Sequence, residues 1–258
     1  MKATSWTSSL LGTVALSAAL TAPSARALTL DTTWMQANAV FSLSMDAFDA
    51  MDVAGVSMKA LGNASNARGT VLSDGSVLSA FNLPVTKVDV SVGFWPFANL
   101  VTPEWGEASG SALQISRGTR NVTLANFFID YDQSLVLADI TANGSTQKRT
   151  SLYAFDATNL KIGLNGLTLN MNQTLSNLTL TDSALATFAS GLNLSRVLQA
   201  PLVGLDFGTI KVDINGALRH PINSAPYVVA SIPEPSSVAM LALGLIGIAA
   251  VSRRKMAN

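Results

Sequence analysis

From Ser73 onward, apolar and polar residues alternate along the chain, and the alternation recurs in one short stretch after another. "KVDVSVG" sets Val88, Val90 and Val92 against Lys87, Asp89 and Ser91, and "NVTLANFFID" places Val122, Leu124 and Phe128 on one side. "SLVLADI", "TSLYAF", "LKIGLNGLTLNMN", "NLTL" and "TIKVDI" continue the series, which predicts seven or more strands. Turn chemistry separates them at "SDGS", "SRGTR" and "YDQS"; in "ANGST", Asn143-Gly144 suits the positive φ angles of a tight hairpin. Mostly antiparallel connections follow.

Two stretches carry a different period. "LDTTWMQANAVFSLSMDAFDAMDVAG" puts Trp34, Ala37, Phe41, Met45 and Phe48 at helical spacing, with Asp31 or Thr33 as N-cap and Gly55 as the stop. This predicts an N-terminal amphipathic helix. "TDSALATFASGLN" predicts one short internal helix, capped at Asp182, with Leu185, Phe188 and Leu192 on its inner face and Gly191 near its end. The expected fold is mainly β: a single antiparallel β-sandwich or barrel-like domain with these two helices.

The two termini do not belong to that domain. Residues 1–27 have an early charge at Lys2, an apolar stretch from Leu10 to Leu20, Pro23, and small residues at Ala25 and Ala27. This is the layout of a secretory signal cleaved by signal peptidase after Ala27. At the other end, fourteen apolar residues, 238–251, are followed by Arg253, Arg254 and Lys255. The run is shorter than the ~17–25 residues of a permanent transmembrane helix, yet the basic cluster gives it a stop-transfer arrangement. The domain expected between them spans residues 28–231.

Without residues 1–27 and 233–258, the chain has 11 basic and 15 acidic residues, so it lacks the cationic footprint that nucleic acid requires. There are no cysteines, which excludes disulfides, thiolate metal sites and cysteine nucleophiles; a domain of roughly 200 residues folds by burial alone. A lone histidine, His220 in "LRHPINS", cannot furnish a multi-histidine metal site and reads as a linker residue after the last strand.

Other candidates for chemistry are few. Ser145 and Lys148 in "STQK" match Ser-x-x-Lys but follow a hairpin turn rather than open a helix. Asp46, Asp49 and Asp52 recur every three residues and read as a solvated helix face, and Asp130 and Asp132 in "FIDYDQS" read as turn residues. Glu104 and Glu107 flank Trp105 in "TPEWGEASG", the residue types of a paired-acid hydrolase with a sugar-stacking tryptophan. The aromatic stretch "GFWPFANLVTPEW" offers Trp95 and Trp105 as ligand-contacting rings, or as a plug closing the end of the β domain. No metal site and no cofactor are expected.

"IPEPSSVAMLALGLIGIAAVSRRK" resembles the PEP-CTERM sorting signal of Gram-negative bacteria: Pro233, Glu234 and Pro235, then a short apolar helix, then Arg253, Arg254 and Lys255. The resemblance covers residues 232–258. It implies an exported protein whose tail enters the inner membrane transiently, is cut by an exosortase near Pro-Glu-Pro, and leaves the body at the surface or outside the cell. It further associates the protein with exopolysaccharide and biofilm. The function expected is a non-enzymatic structural or adhesive one.

A second resemblance lies in the body. "GSALQISRGTRNVTLANFFIDYDQSLVLADITANGSTQKRTSLYAFD" is similar in its strand and turn succession to segments of other PEP-CTERM surface proteins and, more remotely, to HtaA-type haem-binding domains. That family implies haem held by an axial tyrosine assisted by a histidine; the opening segment here has Phe41 and Phe48 and no tyrosine between Asp31 and Ala60. Haem or small-ligand binding is the alternative function, and a carboxylate-dependent hydrolase the third.

Overall fold

The computed structural model describes residues 26–71, 77–92, 101–165 and 168–229. Twelve strands and three short helices follow in order: β1 (Arg26–Asp31), β2 (Met35–Leu43), α1 (Met45–Ala54), β3 (Ser57–Gly62), β4 (Ser65–Ala67), β5 (Ala80–Pro84), β6 (Lys87–Val92), β7 (Val101–Arg117), β8 (Arg120–Asp130), β9 (Leu135–Ala142), β10 (Ser145–Asn165), β11 (Thr168–Leu180), α2 (Asp182–Gly191), α3 (Arg196–Gln199) and β12 (Gly208–Leu218). A 3-10 turn, Ala200–Leu202, follows α3.

All pairings are antiparallel, in one sheet of order β1-β6-β7-β8-β9-β10-β11-β12-β2-β5-β4, with β3 beside the second half of β7. The expected single antiparallel β domain is present as one curled sheet, a half-barrel. Its curl is visible at Val85 and Thr86, which alone separate β5 from β6. The Val85 N–H donates to Ala37 O on β2 at 2.9 Å, while the Thr86 N–H donates to Glu107 O on β7 at 2.7 Å. Two consecutive residues thus tie together strands that lie far apart in the sheet order. The concave side holds the core, built from Val88, Val90, Leu113, Leu124, Ile140, Leu175 and Ile214, all at most 2% exposed.

The period-two reading holds along β9 and β12; in β6 Val88 and Val90 are buried as expected but so is Asp89, and in β8 the phase shifts after Ala125. The hairpin at Asn143-Gly144 has φ of 50° and 77°. The N-terminal helix requires correction. Residues 35–43 form a strand whose Ala37, Ala39, Phe41 and Leu43 are buried, and the helix begins only at Met45, capped by Ser44, whose Oγ accepts from the Ala47 N–H at 3.0 Å. Ala37 and Phe41 are four residues apart, a step common to both periods. The residues peculiar to the helical reading are exposed: Trp34 is 59%, Met45 44% and Phe48 37% accessible. Gly55, with φ 63°, ends the helix as expected.

The internal helix occurs at the expected place, although its N-cap is Thr181, with Asp182 in the first turn. Together α1 and α2 cover one part of the sheet over an apolar cavity of about 50 Å³ lined by Met51, Tyr153, Phe188, Leu192 and Phe207, among others. A second apolar cavity, of about 30 Å³, lies between Val88, Phe127, Met171 and Val212. Each is on the scale of one or two water molecules.

Candidate functional site

The outer face of β7–β10 is shaped by two facing bulges. In β7 the register with β8 slips between Ala108 and Ala112 around Gly110, φ 75°; in β8 it slips against β9 between Ala125 and Phe128 around Asn126, φ 54°. Glycine and asparagine are the residues that tolerate these angles, and a bulge redirects the side chains after it. Phe128 is therefore not on the side of Val122 and Leu124, as strict alternation predicts. Phe127 and Ile129 enter the core instead, and Phe128 turns outward.

There Phe128 stacks on Trp105, ring centroids 5.5 Å apart and planes at 23°, and the Arg149 guanidinium carbon lies 4.1 Å from the Phe128 centroid. The Arg149 N–H donates to Asp139 Oδ1 at 2.9 Å, which holds Arg149 in its positive-φ conformation, φ 47°. Trp105 and Phe128 are half-buried and Arg149 is exposed. The result is a ridge of aromatic faces ending in a cation, and it contains one of the two tryptophans that the sequence offered as ligand-contacting rings or as a plug; Trp95 lies outside the described residues.

The same Asp139 carboxylate connects the ridge, through its other oxygen, to the segment that follows β12. Asp139 Oδ2 accepts from Asn126 Nδ2 at 2.9 Å, and Nδ2 also donates to Tyr227 O at 3.0 Å. Asn126 Oδ1 accepts from the N–H groups of Tyr227 at 2.7 Å and Gly110 at 3.1 Å. One amide thereby grips both polar groups of a backbone unit 101 residues away. Asn63 Nδ2 donates to Asn223 O at 2.6 Å and Ser109 O at 3.1 Å. The segment Arg219–Tyr227 is thus a strap laid over the bulges.

The strap starts at Arg219. Its guanidinium donates to four backbone carbonyls: Thr32 at 3.0 Å, Thr33 at 3.3 Å, Ala37 at 2.8 Å and Val85 at 2.7 Å. Its own N–H donates to Trp34 O at 3.0 Å. Burial lowers the guanidinium pKa from its ordinary value, and Arg219 pins the seam where β2, β5 and the strap meet.

The remaining candidates are dispersed. Glu104 sits at the bulge where β7 slips against β6, and Glu107 Oε1 accepts from Ser109 Oγ at 2.7 Å. Asp130 Oδ1 accepts from the Gln133 N–H at 3.0 Å, a turn contact, and Asp132 is exposed in that turn. Asp46, Asp49 and Asp52 are exposed on α1, and Ser145 and Lys148 are exposed on β10. His220 is exposed beyond β12, whereas Tyr153 is buried against Phe41 and Phe207; desolvation raises the pKa of Tyr153 and of Tyr131 and disfavours the phenolate. Among the described residues no group of three or more His, Cys, Asp and Glu converges on a metal position, and no helix is long and apolar enough to cross a membrane.

Ala25, the residues before it, and the whole tail from 230 lie outside the described residues. The tail is identified by comparison: the family model of the PEP-CTERM protein-sorting motif matches residues 231–255. This chain carries a PEP-CTERM sorting motif. The match spans Pro233, Glu234, Pro235, Arg253, Arg254 and Lys255, and it implies an exported, exosortase-processed surface protein. No curated protein matches the chain. Among solved structures, the C-terminal domain of HtaA from Corynebacterium glutamicum is weakly similar, with a TM-score of 0.41 and 12% identity over 70% of this chain and 98% of that one.

Proposed function

We propose that the mature protein has a structural or adhesive role, held in the polysaccharide-rich envelope or extracellular matrix of a biofilm-forming cell, and that it is not an enzyme. The observation that carries this reading is the sorting motif at residues 231–255, which begins four residues after the docked Tyr227. Transient insertion of residues 238–251 holds the precursor in the inner membrane until the exosortase cuts it. A segment that is removed has no need of full spanning length.

The ridge of Trp105, Phe128 and Arg149 is the contact surface in this proposal, with exopolysaccharide as partner. A half-exposed indole offers a flat face to a sugar ring, and the guanidinium offers a fork to hydroxyl or carboxylate oxygens. Stacking and cation–π terms of this kind are each worth about 1 kcal/mol. The Trp105→Ala, Arg149→Ala double variant is therefore expected to be retained about thirtyfold less in extracted matrix, as read by the bound-to-free ratio of purified mature protein, while Lys59→Ala is retained as wild type. Equal retention of all three would sink the ridge as the contact surface. Glu104→Gln and Glu107→Gln are expected to leave polysaccharide turnover unchanged, and a loss of turnover in either would restore the hydrolase reading.

A further inference from the structure

We infer that the bulged face of β7 and β8 is a built peptide-binding site, that its occupant is the strap Arg219–Tyr227, and that this docking fixes how far the sorting motif stands from the folded domain. The last part rests on the exosortase processing described above. The site has the features of a peptide groove: Asn126 reads the N–H and C=O of Tyr227 together, and Asn63 reads the carbonyl of Asn223. Two glycines make room for the occupant. A Cβ on Gly62 would lie 2.8 Å from a Tyr227 ring carbon, and one on Gly110 would lie 2.9 Å from Ala225 O. Both have positive φ, 62° and 75°, so the absence of a side chain serves the backbone and the docked strap alike.

Docking ends abruptly, since Val228 is 79% exposed. Five residues, 228–232, then lead to Pro233. Fully extended, that link reaches roughly 20 Å, so a docked strap keeps the domain within that distance of a cut made beside the membrane. Release of Ser224–Tyr227, with Arg219 and Asn223 still held, would add up to roughly 14 Å, more than the roughly 10 Å that a three-residue deletion removes. The strap is a ruler set by hydrogen bonds.

The test shortens the ruler and then releases it. In the full-length precursor, deletion of Val228–Ala230 is expected to slow exosortase-dependent loss of the tail at least tenfold. Adding Asn126→Gly, which keeps the positive φ and removes the amide, or Tyr227→Ala, is expected to restore processing to within about twofold of wild type. In parallel, chymotrypsin is expected to cut after Tyr227 at least tenfold faster in full-length Asn126→Gly than in wild type. Normal processing of the shortened precursor, or failure of both release variants to rescue it, would overturn the ruler. Equal chymotrypsin rates would overturn the docking itself. A wild-type precursor left uncut in an exosortase-bearing host would instead remove the processing reading, with the proteolysis still deciding the site.

Discussion

Arg219→Leu is expected to lower the unfolding free energy by about 3–4 kcal/mol, a fall in Tm of roughly 8–12 °C for a domain of this size. The guanidinium satisfies four carbonyls from two separate parts of the chain, Thr32–Ala37 and Val85, and no carboxylate is among its hydrogen-bond partners. Leucine matches part of its volume but donates nothing, so each carbonyl loses its charged donor and keeps a neutral one: Met35 N–H at Thr32 O, Ile222 N–H at Thr33 O, Val85 N–H at Ala37 O and Thr32 Oγ1 at Val85 O. Hydrogen bonds from a charged donor contribute about 1.5–3 kcal/mol each when taken singly, and four on one planar group fall well short of their sum because they share one side chain. Arg219→Lys is expected to recover about half of the loss, since an ammonium on a flexible stem replaces a planar fork with a single point of donation. Chemical denaturation of the mature protein measures both. A change below about 1 kcal/mol for the leucine variant would show that water replaces the guanidinium without cost.

Gly208→Ala is expected to destabilise by about 4 kcal/mol, a larger effect than its single methyl group implies. Gly208 opens β12 at φ 123°, a region closed to other residues, and a Cβ there would lie 2.0 Å from Ser42 O and 2.7 Å from the Ser44 nitrogen. Both neighbours are backbone and cannot swing aside. Ser44 is also fixed by its N–H to Phe207 O at 3.1 Å and by its Oγ to Asp206 O at 2.6 Å, while the Gly208 N–H donates to Asp206 Oδ1 at 2.8 Å. The clash therefore forces β12 away from β2 at the point where α1 begins. Gly163→Ala, where a Cβ meets nothing within 4 Å, is the matched control and is expected to change stability by less than ~0.5 kcal/mol. Similar thermal midpoints for the two variants would contradict the close approach of β12 and β2.

Much of the fold is legible in the sequence because a half-buried strand writes its period directly. The series from "KVDVSVG" to "TIKVDI" corresponds to β6 and β8–β12. The failure at Met35–Leu43 has a definite cause: Ala37 and Phe41 satisfy both periods, and only the small Ala39, with Leu43, distinguishes them. The face on which Phe128 lies was hidden by a bulge, whose trace is the polar Asn126 interrupting the apolar run "VTLANFFID". Gly110 within "ASGSAL" is the matching trace on β7.

The candidate site was less legible. Trp105 is visible as an aromatic beside two acids, but its stacking partner and cation depend on that bulge. Arg219 and Asn126 act across 187 and 101 residues respectively, and nothing local in "LRHPINS" marks an arginine that binds four carbonyls. The tail is the reverse case. Its message lies in the order of three short pieces of sequence, and it is read without a structure.

The intact mass and the location of the protein, in hosts with and without a functional exosortase, test exosortase processing most directly. With the enzyme, the mass is expected to begin after Ala27 and to lack the apolar segment 238–251 and the basic cluster Arg253–Lys255; without it, the full tail remains and the protein stays in the inner membrane. An extracellular protein that carries residues 238–258 in the exosortase-competent host would contradict it.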